Sequence, residues 1–246
     1  MAKQTRTRTD DIIDCACVIH SNGYAWEYVD KLYNMLQRVR PDGIRLHVYT
    51  EHDRPVGPHL IKHNLENWPG VAGHKKSWWY KLQLFNRDLF NGNLLYFDLD
   101  TVIVREIDWI TELDTNYLWG IRDFRYLQTP LKQSLNSSVM WFSVPKFGWL
   151  WDEFKTRDLA TTMRRYPGDQ DYIQDQLGHN RYRLMPESQF QSWRWQCVDG
   201  GYDFQRRRHK IPGAGGVVDP NTSVLVFHGH PKPHEVKDKV VQELWR

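Results

Sequence analysis

The sequence contains little cysteine, no long apolar run and little net charge. Only three of the 246 residues are cysteine: Cys15, Cys17 and Cys197. Cys15 and Cys17 stand inside an apolar stretch, which predicts buried thiols in a reducing compartment rather than disulfides or a metal clip. No apolar run approaches the ~18 residues that a membrane-spanning helix needs. The formal charge of +3 is too small to argue for binding to nucleic acid or a membrane.

The start of the chain is polar and lacks the apolar segment of a secretory signal. We expect a flexible tail over residues 1–10 and one domain over 11–246, because neither internal repeats nor a linker composition divide the rest. The predicted buried thiols and the lack of a secretory signal favour a cytoplasmic location. Aromatic residues, by contrast, are abundant: 12 Trp, 12 Tyr and 10 Phe make up 14% of the chain. Such a surplus suits a core, but also stacking surfaces for sugars or bases.

Apolar patterns predict alternating strands and helices. A strand at 12–19, a helix at 26–39 and a strand at 44–50 form a βαβ unit, which predicts a parallel sheet. Further segments are a helix at 77–90, strands at 94–104, 117–122 and 138–144, a helix at 147–158, a strand at 223–228 and a helix from 234 to the end. We therefore predict an α/β domain with a mixed, mainly parallel central sheet flanked by helices.

The most informative stretch is 94–104, Leu-Leu-Tyr-Phe-Asp-Leu-Asp-Thr-Val-Ile-Val. In a continuous strand, Asp98 and Asp100 would point to one side and Leu99 to the other. Two like charges there cost several kcal/mol unless a cation offsets them. Paired carboxylates suit Mg²⁺ or Mn²⁺ with phosphates completing the coordination. The alternative is a strand that ends in a solvated turn.

Four other segments carry polar groups that suit a phosphate or sugar site. They are Lys81 on the second helix, Asn136-Ser137-Ser138 before a strand, Gly168-Asp169-Gln170-Asp171 at a helix start, and Phe227-His228-Gly229-His230-Pro231-Lys232-Pro233 after the last strand. Each also has a plain structural explanation. These are a solvated lysine, a small-residue turn, a helix cap and a hydrogen-bonded histidine at a strand end.

Taken in chain order, these segments resemble the nucleotide-sugar glycosyltransferases of the GT-A fold, especially family eight, the galactosyltransferase and glycogenin group. The resemblance implies a Rossmann-like GT-A domain. It also implies metal-dependent transfer of a hexose or similar sugar from a nucleoside-diphosphate sugar, with UDP as the expected nucleotide, to a hydroxyl acceptor. Family membership further implies retention of the anomeric configuration. An inverting enzyme would instead need a free carboxylate opposite the leaving group, and Asp171 and Asp199 are the candidates.

The resemblance also implies individual roles. Asp98 and Asp100 would bind Mn²⁺ or Mg²⁺ against the donor diphosphate, with Lys232 on the phosphates and Gly229 allowing their close approach. The donor sugar would contact Lys81, Asn136 with its neighbour Ser137, and Asp169. Asp169, Gln170 and Asp171 would be the catalytic residues, with Gln170 beside the anomeric carbon. The end of the first strand, with Ser21, Asn22 and Tyr24, would border the base and ribose.

Two departures from the family pattern concern the closing motif. The family places its metal-binding histidine six residues before the lysine, which is Val226 in this chain. His228 lies two positions later, and on a continuing strand it would share a face with Val226 and serve as the third metal ligand. His234 also stands where the family usually has Trp. The chain is thus a distant relative.

Two other functions compete with glycosyl transfer. Phe97-Asp98-Leu99-Asp100-Thr101-Val102 also fits the nucleophile strand of haloacid-dehalogenase-type phosphatases, in which Asp98 would attack phosphorus. That motif normally lies on the first strand, whereas a βαβ unit precedes it here. A non-catalytic carbohydrate-binding protein would use exposed Trp but leaves the aspartate pair unexplained.

The acceptor is not specified by any motif. Trp193-Arg194-Trp195 and Gln205-Arg206-Arg207-Arg208-His209-Lys210 combine basic and aromatic residues in the irregular C-terminal third. Such a cluster suits an anionic glycan, a lipid phosphate headgroup or nucleic acid with a hydroxylated base. A solvated loop remains the alternative.

Overall fold

The structure is a computed structural model that describes residues 12–21, 23–68, 71, 77–131, 133–211 and 215–246. The expected tail over residues 1–10 and the predicted site residue Asn22 lie outside these ranges. Within them the strands, in chain order, are β1 (Ile13–Val18), β2 (Ile44–Thr50), β3 (Ile61–Asn64), β4 (Asn93–Phe97), β5 (Thr101–Ile103), β6 (Leu118–Arg122), β7 (Leu135–Ser143), β8 (Tyr182–Leu184), β9 (Phe190–Ser192), β10 (Tyr202–Asp203), β11 (Arg208–His209) and β12 (Val224–Val226).

The helices of the described residues are mostly short. The α-helices are α1 (Glu27–Val39), α2 (Val144–Phe147), α3 (Trp149–Lys155), α4 (Leu159–Arg165), α5 (Asp169–Leu177) and α6 (Lys239–Leu244). The 3₁₀ segments are Ser77–Phe85, Asp108–Glu112, Phe124–Leu127, Glu187–Gln189 and Pro233–Glu235, and Trp193–Cys197 forms a π-helical turn. No helix in the described ranges is long and apolar enough to cross a membrane.

A seven-stranded sheet organises the described part of the chain, in the order β3-β2-β1-β4-β7-β6-β8. The pairs β2–β3, β1–β2, β1–β4 and β6–β8 are parallel, whereas β7 runs antiparallel to β4 and β6. The mixed, mainly parallel α/β sheet is therefore confirmed. Two smaller sheets follow, β5-β12-β9 and the hairpin β10-β11.

Apolar residues cover both faces of the large sheet. In β4, Leu95 and Phe97 enter one core with α1 and the β5-β12-β9 sheet, while Leu94 and Tyr96 enter the other with the Ser77–Phe85 helix. Strand alternation explains this division, because neighbouring side chains leave opposite faces. The near-continuous apolar strands of the sequence thus report a sheet buried on both sides.

The predicted continuous strand at 94–104 is wrong. β4 ends at Phe97, and Asp98, Leu99 and Asp100 form a turn in which the Thr101 amide donates to the Asp98 carbonyl at 3.2 Å. The chain then enters β5, which pairs with β12 in a different sheet. Strand alternation therefore does not orient the two carboxylates, and the turn itself sets their positions.

Four other element boundaries also differ from prediction. The helix expected at 77–90 is a 3₁₀ helix ending at Phe85, and the helix expected at 147–158 is divided into α2 and α3. β7 begins at Leu135, so Asn136 and Ser137 lie inside the strand rather than in a turn before it. The helix expected from 234 is a 3₁₀ turn followed by α6.

The last strand of the prediction, 223–228, ends at Val226 in the structure. His228 therefore lies beyond the strand, and the prediction that it shares a strand face with Val226 is wrong. The expectation for the cysteines is confirmed: Cys15, Cys17 and Cys197 are free and buried. Burial raises the pKa of the Cys197 thiol to about 12.

Candidate active site

A cavity of about 730 Å³ opens where parallel strands β1 and β4 end. The carboxyl ends of parallel strands meet at one edge of a sheet, which is where α/β folds bind ligands. The lining includes six residues that the sequence singled out: Tyr24, Lys81, Asp98, Asp100, Gly229 and Lys232. The fold thus brings together residues that lie up to 208 positions apart.

Asp98 sits at the end of β4 with two partners for one carboxylate oxygen. The Lys81 ammonium lies 2.8 Å from Oδ1, and the Tyr96 hydroxyl donates to the same oxygen at 2.6 Å. Burial by itself raises the pKa of Asp98. The Lys81 charge and the hydrogen bonds outweigh that effect and hold the pKa below its ordinary value. Asp98 is therefore an ionised carboxylate at neutral pH.

Lys81 connects Asp98 to the start of α5. Its ammonium lies 3.6 Å from Asp169 Oδ2 and donates to Ser137 Oγ at 3.2 Å. The Ser137 hydroxyl in turn donates to Asp169 Oδ2 at 2.7 Å. Lys81, expected to be solvated in the plain reading, is buried. The pKa of Lys81 stays above its ordinary value because Asp169 and Asp98 overcome the opposing effect of burial.

Asp100 has a separate cation. The Lys232 ammonium pairs with Oδ2 at 2.5 Å, and the Tyr24 hydroxyl donates to the same oxygen at 2.8 Å. Lys232 also donates to Tyr24 at 3.1 Å. Burial and the neighbouring Asp98 charge raise the pKa of Asp100, whereas Lys232 lowers it. The two aspartates thus sit in opposite electrostatic environments, two residues apart.

The loop that carries Lys232 makes a tight approach at Gly229. Gly229 has φ of +72°, in the left-handed region that favours glycine. A Cβ atom there would lie 3.2 Å from Nη1 of Arg194, so the Arg194 guanidinium lies directly against this loop. Arg194 is a cation next to the cavity that sequence reasoning had grouped with the acceptor region.

His228, which directly precedes Gly229, contacts residues of β9, the π-helical turn and the Phe124–Leu127 segment. Its Nε2 lies 2.6 Å from Ser192 Oγ, and its ring packs on Trp195 and Phe124 with centroid distances of 4.3 and 5.5 Å. Burial first, and then the Arg194 charge, lower the pKa of His228 to about 4. Among the described residues no group of three or more His, Cys, Asp or Glu side chains is arranged to hold a metal ion. The role of His228 as third metal ligand stays a prediction.

Gln170 and Asp171 occupy the first turn of α5, after Gly168 at its N-cap. Gln170 Nε2 donates to Asp123 Oδ2 at 3.4 Å. Asp123 is buried, and its Oδ1 accepts the Arg125 amide at 2.8 Å. Asp171 is half-buried. The catalytic assignments of Asp169, Gln170 and Asp171 remain predictions, because hydrogen bonding alone does not assign a role.

Ser21 and Asn136 are occupied by local contacts. The Ser21 amide donates to Glu51, and Arg54 donates to both the Glu51 carboxylate and the Ser21 carbonyl, each at 2.8 Å. Burial raises the pKa of Glu51, but Arg54 and the other hydrogen bonds lower it to about 2. Asn136 Oδ1 accepts the Ser138 amide at 2.9 Å. Neither Ser21 nor Asn136 is among the residues that line the cavity, and their predicted ligand roles stay predictions.

Sequence reasoning missed Tyr96 and Asp123, and it assigned Arg194 only to the acceptor region. Tyr96 precedes Asp98 by two positions and resembles an ordinary core aromatic. Asp123 follows β6 and belongs to no motif. Arg194 gave a signal through its place between two Trp residues, but only the fold brings it against Gly229.

No known protein-family model matches the sequence, and no curated protein does. Solved structures do match. An active-site variant of LgtC is 14% identical, with a TM-score of 0.60 over 94% of this chain and 94% of that chain. The galactosyltransferase LgtC with donor and acceptor sugar analogs is 15% identical, with a TM-score of 0.58 over 95% of each chain.

A third similar structure is the apo form of the glycosyltransferase GlyE from Streptococcus pneumoniae TIGR4. It is 15% identical, with a TM-score of 0.64 over 95% of this chain. The present chain spans 59% of the length of GlyE. Similarity at identities this low establishes the fold alone. It is the GT-A fold of glycosyltransferases, as the resemblance of the sequence motifs implies.

Proposed function

We propose that this protein is a glycosyltransferase that moves a hexose or similar sugar from a nucleoside-diphosphate sugar, a UDP-sugar, to a hydroxyl acceptor. The observation that carries the proposal is the pairing of Asp98 with Lys81 and of Asp100 with Lys232 in one cavity at the strand ends. The GT-A fold supports it, because the similar structures described above are glycosyltransferases.

A divalent cation is part of the proposal, with Mn²⁺ or Mg²⁺ as the candidates. Asp98 and Asp100 supply hard carboxylate oxygens two residues apart, one of them held ionised by Lys81. Mg²⁺ is commonly held by one or two carboxylates with phosphates and water completing its ligands, so the two aspartates fit this ion, with His228 as the proposed third ligand. Bound there, the ion would stabilise the negative charge that grows on the leaving diphosphate.

The two lysines divide the remaining electrostatic work. Lys232 lies on the loop with the close-approach Gly229, so its ammonium is suited to the diphosphate of the donor. Lys81 is held between Asp98 and Asp169, and this network would orient the hydroxyls of the donor sugar. Prepositioned charges of this kind stabilise a transition state without reorganising during the reaction.

Retention of configuration is the proposed stereochemical course. The leaving phosphate would accept the acceptor proton on the same face, and Gln170 would lie beside the anomeric carbon. The carboxylates that an inverting course could use are the half-buried Asp171 and the exposed Asp199. A glycan, a lipid headgroup and hydroxylated-base nucleic acid are the acceptor classes that this chemistry admits.

The proposal is tested by donor turnover. We expect purified protein to release nucleoside diphosphate from one nucleotide sugar in a panel, with Mn²⁺ and not with chelator. Asp100→Asn should lower kcat/KM about 100-fold or more, the usual cost of losing one electrostatic group in a site. Asp53→Asn, which changes a fully exposed carboxylate, is the matched control and should retain activity.

Two outcomes would contradict the proposal. Release of inorganic phosphate from phosphate esters, abolished by Asp98→Asn, would favour the haloacid-dehalogenase-type alternative. Metal-dependent nucleotide-sugar binding without turnover, in the presence of every acceptor class named above, would favour a binding protein.

A further inference from the structure

A basic surface lies next to the candidate active site but outside it. The hairpin β10–β11, residues 202–210, carries Arg206, Arg207, Arg208 and Lys210 on its exposed part. Among the described residues, the carboxylate within 4 Å of these cations is that of Asp203, 3.9 Å from Arg206. Arg206 and Arg208 both interact with the Asp203 charge, whereas Arg207 and Lys210 are exposed and have no carboxylate within 4 Å among the described residues. The hairpin thus keeps an excess of positive charge, although the net charge of the whole chain is only +3.

Contacts at the base of the hairpin fix it against the cavity loop. Nη2 of Arg194 donates to the Tyr202 hydroxyl at 2.7 Å, and Nε2 of His209 lies 2.9 Å from the Arg194 carbonyl. The Arg194 guanidinium also lies against Gly229, so one side chain contacts both the hairpin and the loop that lines the cavity. The base of the hairpin is therefore close to the cavity lining.

Exposed aliphatic side chains border the same hairpin. Ile211 follows it directly and is 51% exposed, with its side chain beside Gly200 at the hairpin base. Val217 is 62% exposed, and its amide donates to the Cys197 carbonyl of the π-helical turn under the hairpin. Basic residues flanked by exposed aliphatics are the combination that binds the surface of an anionic bilayer.

The aromatic residues here argue against a nucleic acid. Single-stranded nucleic acids bind basic grooves with aromatic rings open for base stacking. In this region the rings pack against each other instead: Tyr202 is buried, and the centroids of the half-buried Trp195 and Phe204 rings lie 5.3 Å apart. The exposed apolar groups of the described hairpin region are aliphatic, which suits lipid rather than bases.

We infer that the hairpin 202–210, with Ile211 and Val217, is a peripheral docking surface for anionic phospholipid bilayers. Arg207, Arg208 and Lys210 attract the phosphate headgroups, and the two aliphatic side chains enter the boundary between headgroups and acyl chains. Docking in this way would hold the cavity loop, which Arg194 links to the hairpin, near the membrane. If the proposed glycosyl transfer holds, the hydroxyl acceptor is then one that the bilayer carries.

Vesicle co-sedimentation of the full chain tests this inference. We expect binding to phosphatidylcholine vesicles that contain phosphatidylglycerol, weakening as salt rises, and no binding to phosphatidylcholine alone. The triple variant Arg207→Asn/Arg208→Ser/Lys210→Ser should bind about 100-fold more weakly, since each basic residue near an anionic surface contributes about fivefold. Asn is chosen at 207 because this position has φ of +53°, which Asn tolerates.

Two further variants separate a specific surface from general charge. Lys155→Ser/Arg164→Ser/Arg165→Ser removes three exposed charges from α3 and α4, on the other face of the large sheet, and should bind vesicles normally. Ile211→Ser/Val217→Ser should weaken binding most at higher salt, where the aliphatic contribution dominates. Far-ultraviolet circular dichroism and a thermal melt would confirm that each variant folds.

The inference is overturned by absent vesicle binding, by equal binding to neutral vesicles, or by equal loss in the two triple variants. Binding of a single-stranded oligonucleotide in preference to vesicles, measured by fluorescence anisotropy and lost in the hairpin variant, would assign the hairpin to nucleic acid instead. Vesicle binding needs no donor. Asp100→Asn should therefore bind vesicles normally, which separates this inference from the proposed transfer activity.

Discussion

The positive charges of the cavity are buried and paired with carboxylates, whereas those of the hairpin are mostly exposed to water. In the cavity the side chain of Lys81 is 9% exposed and has two carboxylates within 4 Å, and Lys232 pairs with Asp100. On the hairpin Arg207 and Arg208 are exposed and have no carboxylate within 4 Å among the described residues. Water solvates the hairpin charges, so folding does not require partners for them. The interior charges, in contrast, must be neutralised by the fold itself.

Removing a paired cation from the cavity should have the largest effect on the stability of the protein. Lys81→Met keeps the length of the side chain but leaves Asp98 and Asp169 without their cation. Removing one partner of a buried ion pair typically costs about 3–5 kcal/mol. We expect the free energy of unfolding to fall by that amount, as measured by urea denaturation at neutral pH.

The control for Lys81→Met is Lys239→Met, which removes an 88% exposed lysine paired with Glu243 at 3.6 Å on α6. An exposed pair of this kind contributes under about 0.5 kcal/mol. Equal destabilisation by the two variants would show that the Lys81 pairs are not set by burial. A smaller loss from Lys81→Met in an Asp98→Asn background would measure the coupling between the two residues.

Acid should test the cost of an interior charge at another site, the partly buried His63 of β3. We expect the free energy of unfolding to fall as the pH is lowered. Burial and the charge of His47, whose Nδ1 lies 2.8 Å from Nε2 of His63, lower the pKa of His63 to about 4. The unfolded chain takes up this proton at about pH 6.5, so the stability that the neutral ring contributes is present above pH 6.5 and is lost between pH 6.5 and 4. Screening of the partly exposed ring limits the loss to about 1–2 kcal/mol.

Denaturant titrations across that pH range measure this effect. His63→Gln should flatten the fall in stability between pH 6.5 and 4, because it removes the group that titrates in the unfolded chain. His52→Gln, which changes an exposed ring, should leave the curve in place. An unchanged pH profile for His63→Gln would contradict this, because the ring would then take up its proton at the same pH in the folded and the unfolded protein.

The hairpin should show the smallest effect on stability. The variant Arg207→Asn/Arg208→Ser/Lys210→Ser is expected to change the free energy of unfolding by less than about 0.5 kcal/mol, as is usual at exposed positions. Urea denaturation beside Lys81→Met makes the contrast direct. A loss near that of Lys81→Met would place the hairpin charges among those that the fold requires.

The sequence predicts the sheet well because burial on both faces leaves a strong local signal. β1, α1 and β2 lie within two residues of their predicted bounds, and the order of the motifs along the chain is enough to bring Lys81, Asp98 and Lys232 to one cavity. Both signals, the apolar pattern and the positions of a few charged residues, can be recognised within short stretches of the sequence.

Partner choice over long distances is what the local pattern lacks. Thr101–Ile103 reads as a continuation of β4, but its partner is β12, more than 120 positions away. The Asp98 amide still donates to the Ser138 carbonyl of β7 at 2.7 Å, and the chain turns away from β7 directly after it. Likewise the bond from Gln170 to Asp123 joins two segments that carry no shared motif. Such pairings depend on competing tertiary contacts rather than on propensity.

The close approach of Arg194 to Gly229 constrains how related sequences can diverge. Any side chain at position 229 would meet the guanidinium 3.2 Å away and would also have to adopt φ of +72°. The backbone conformation is the stronger constraint on position 229, because the end of the Arg194 side chain can shift by a few tenths of an ångström. Since the same guanidinium donates to the Tyr202 hydroxyl, such a shift at the cavity loop would be transmitted to the base of the hairpin.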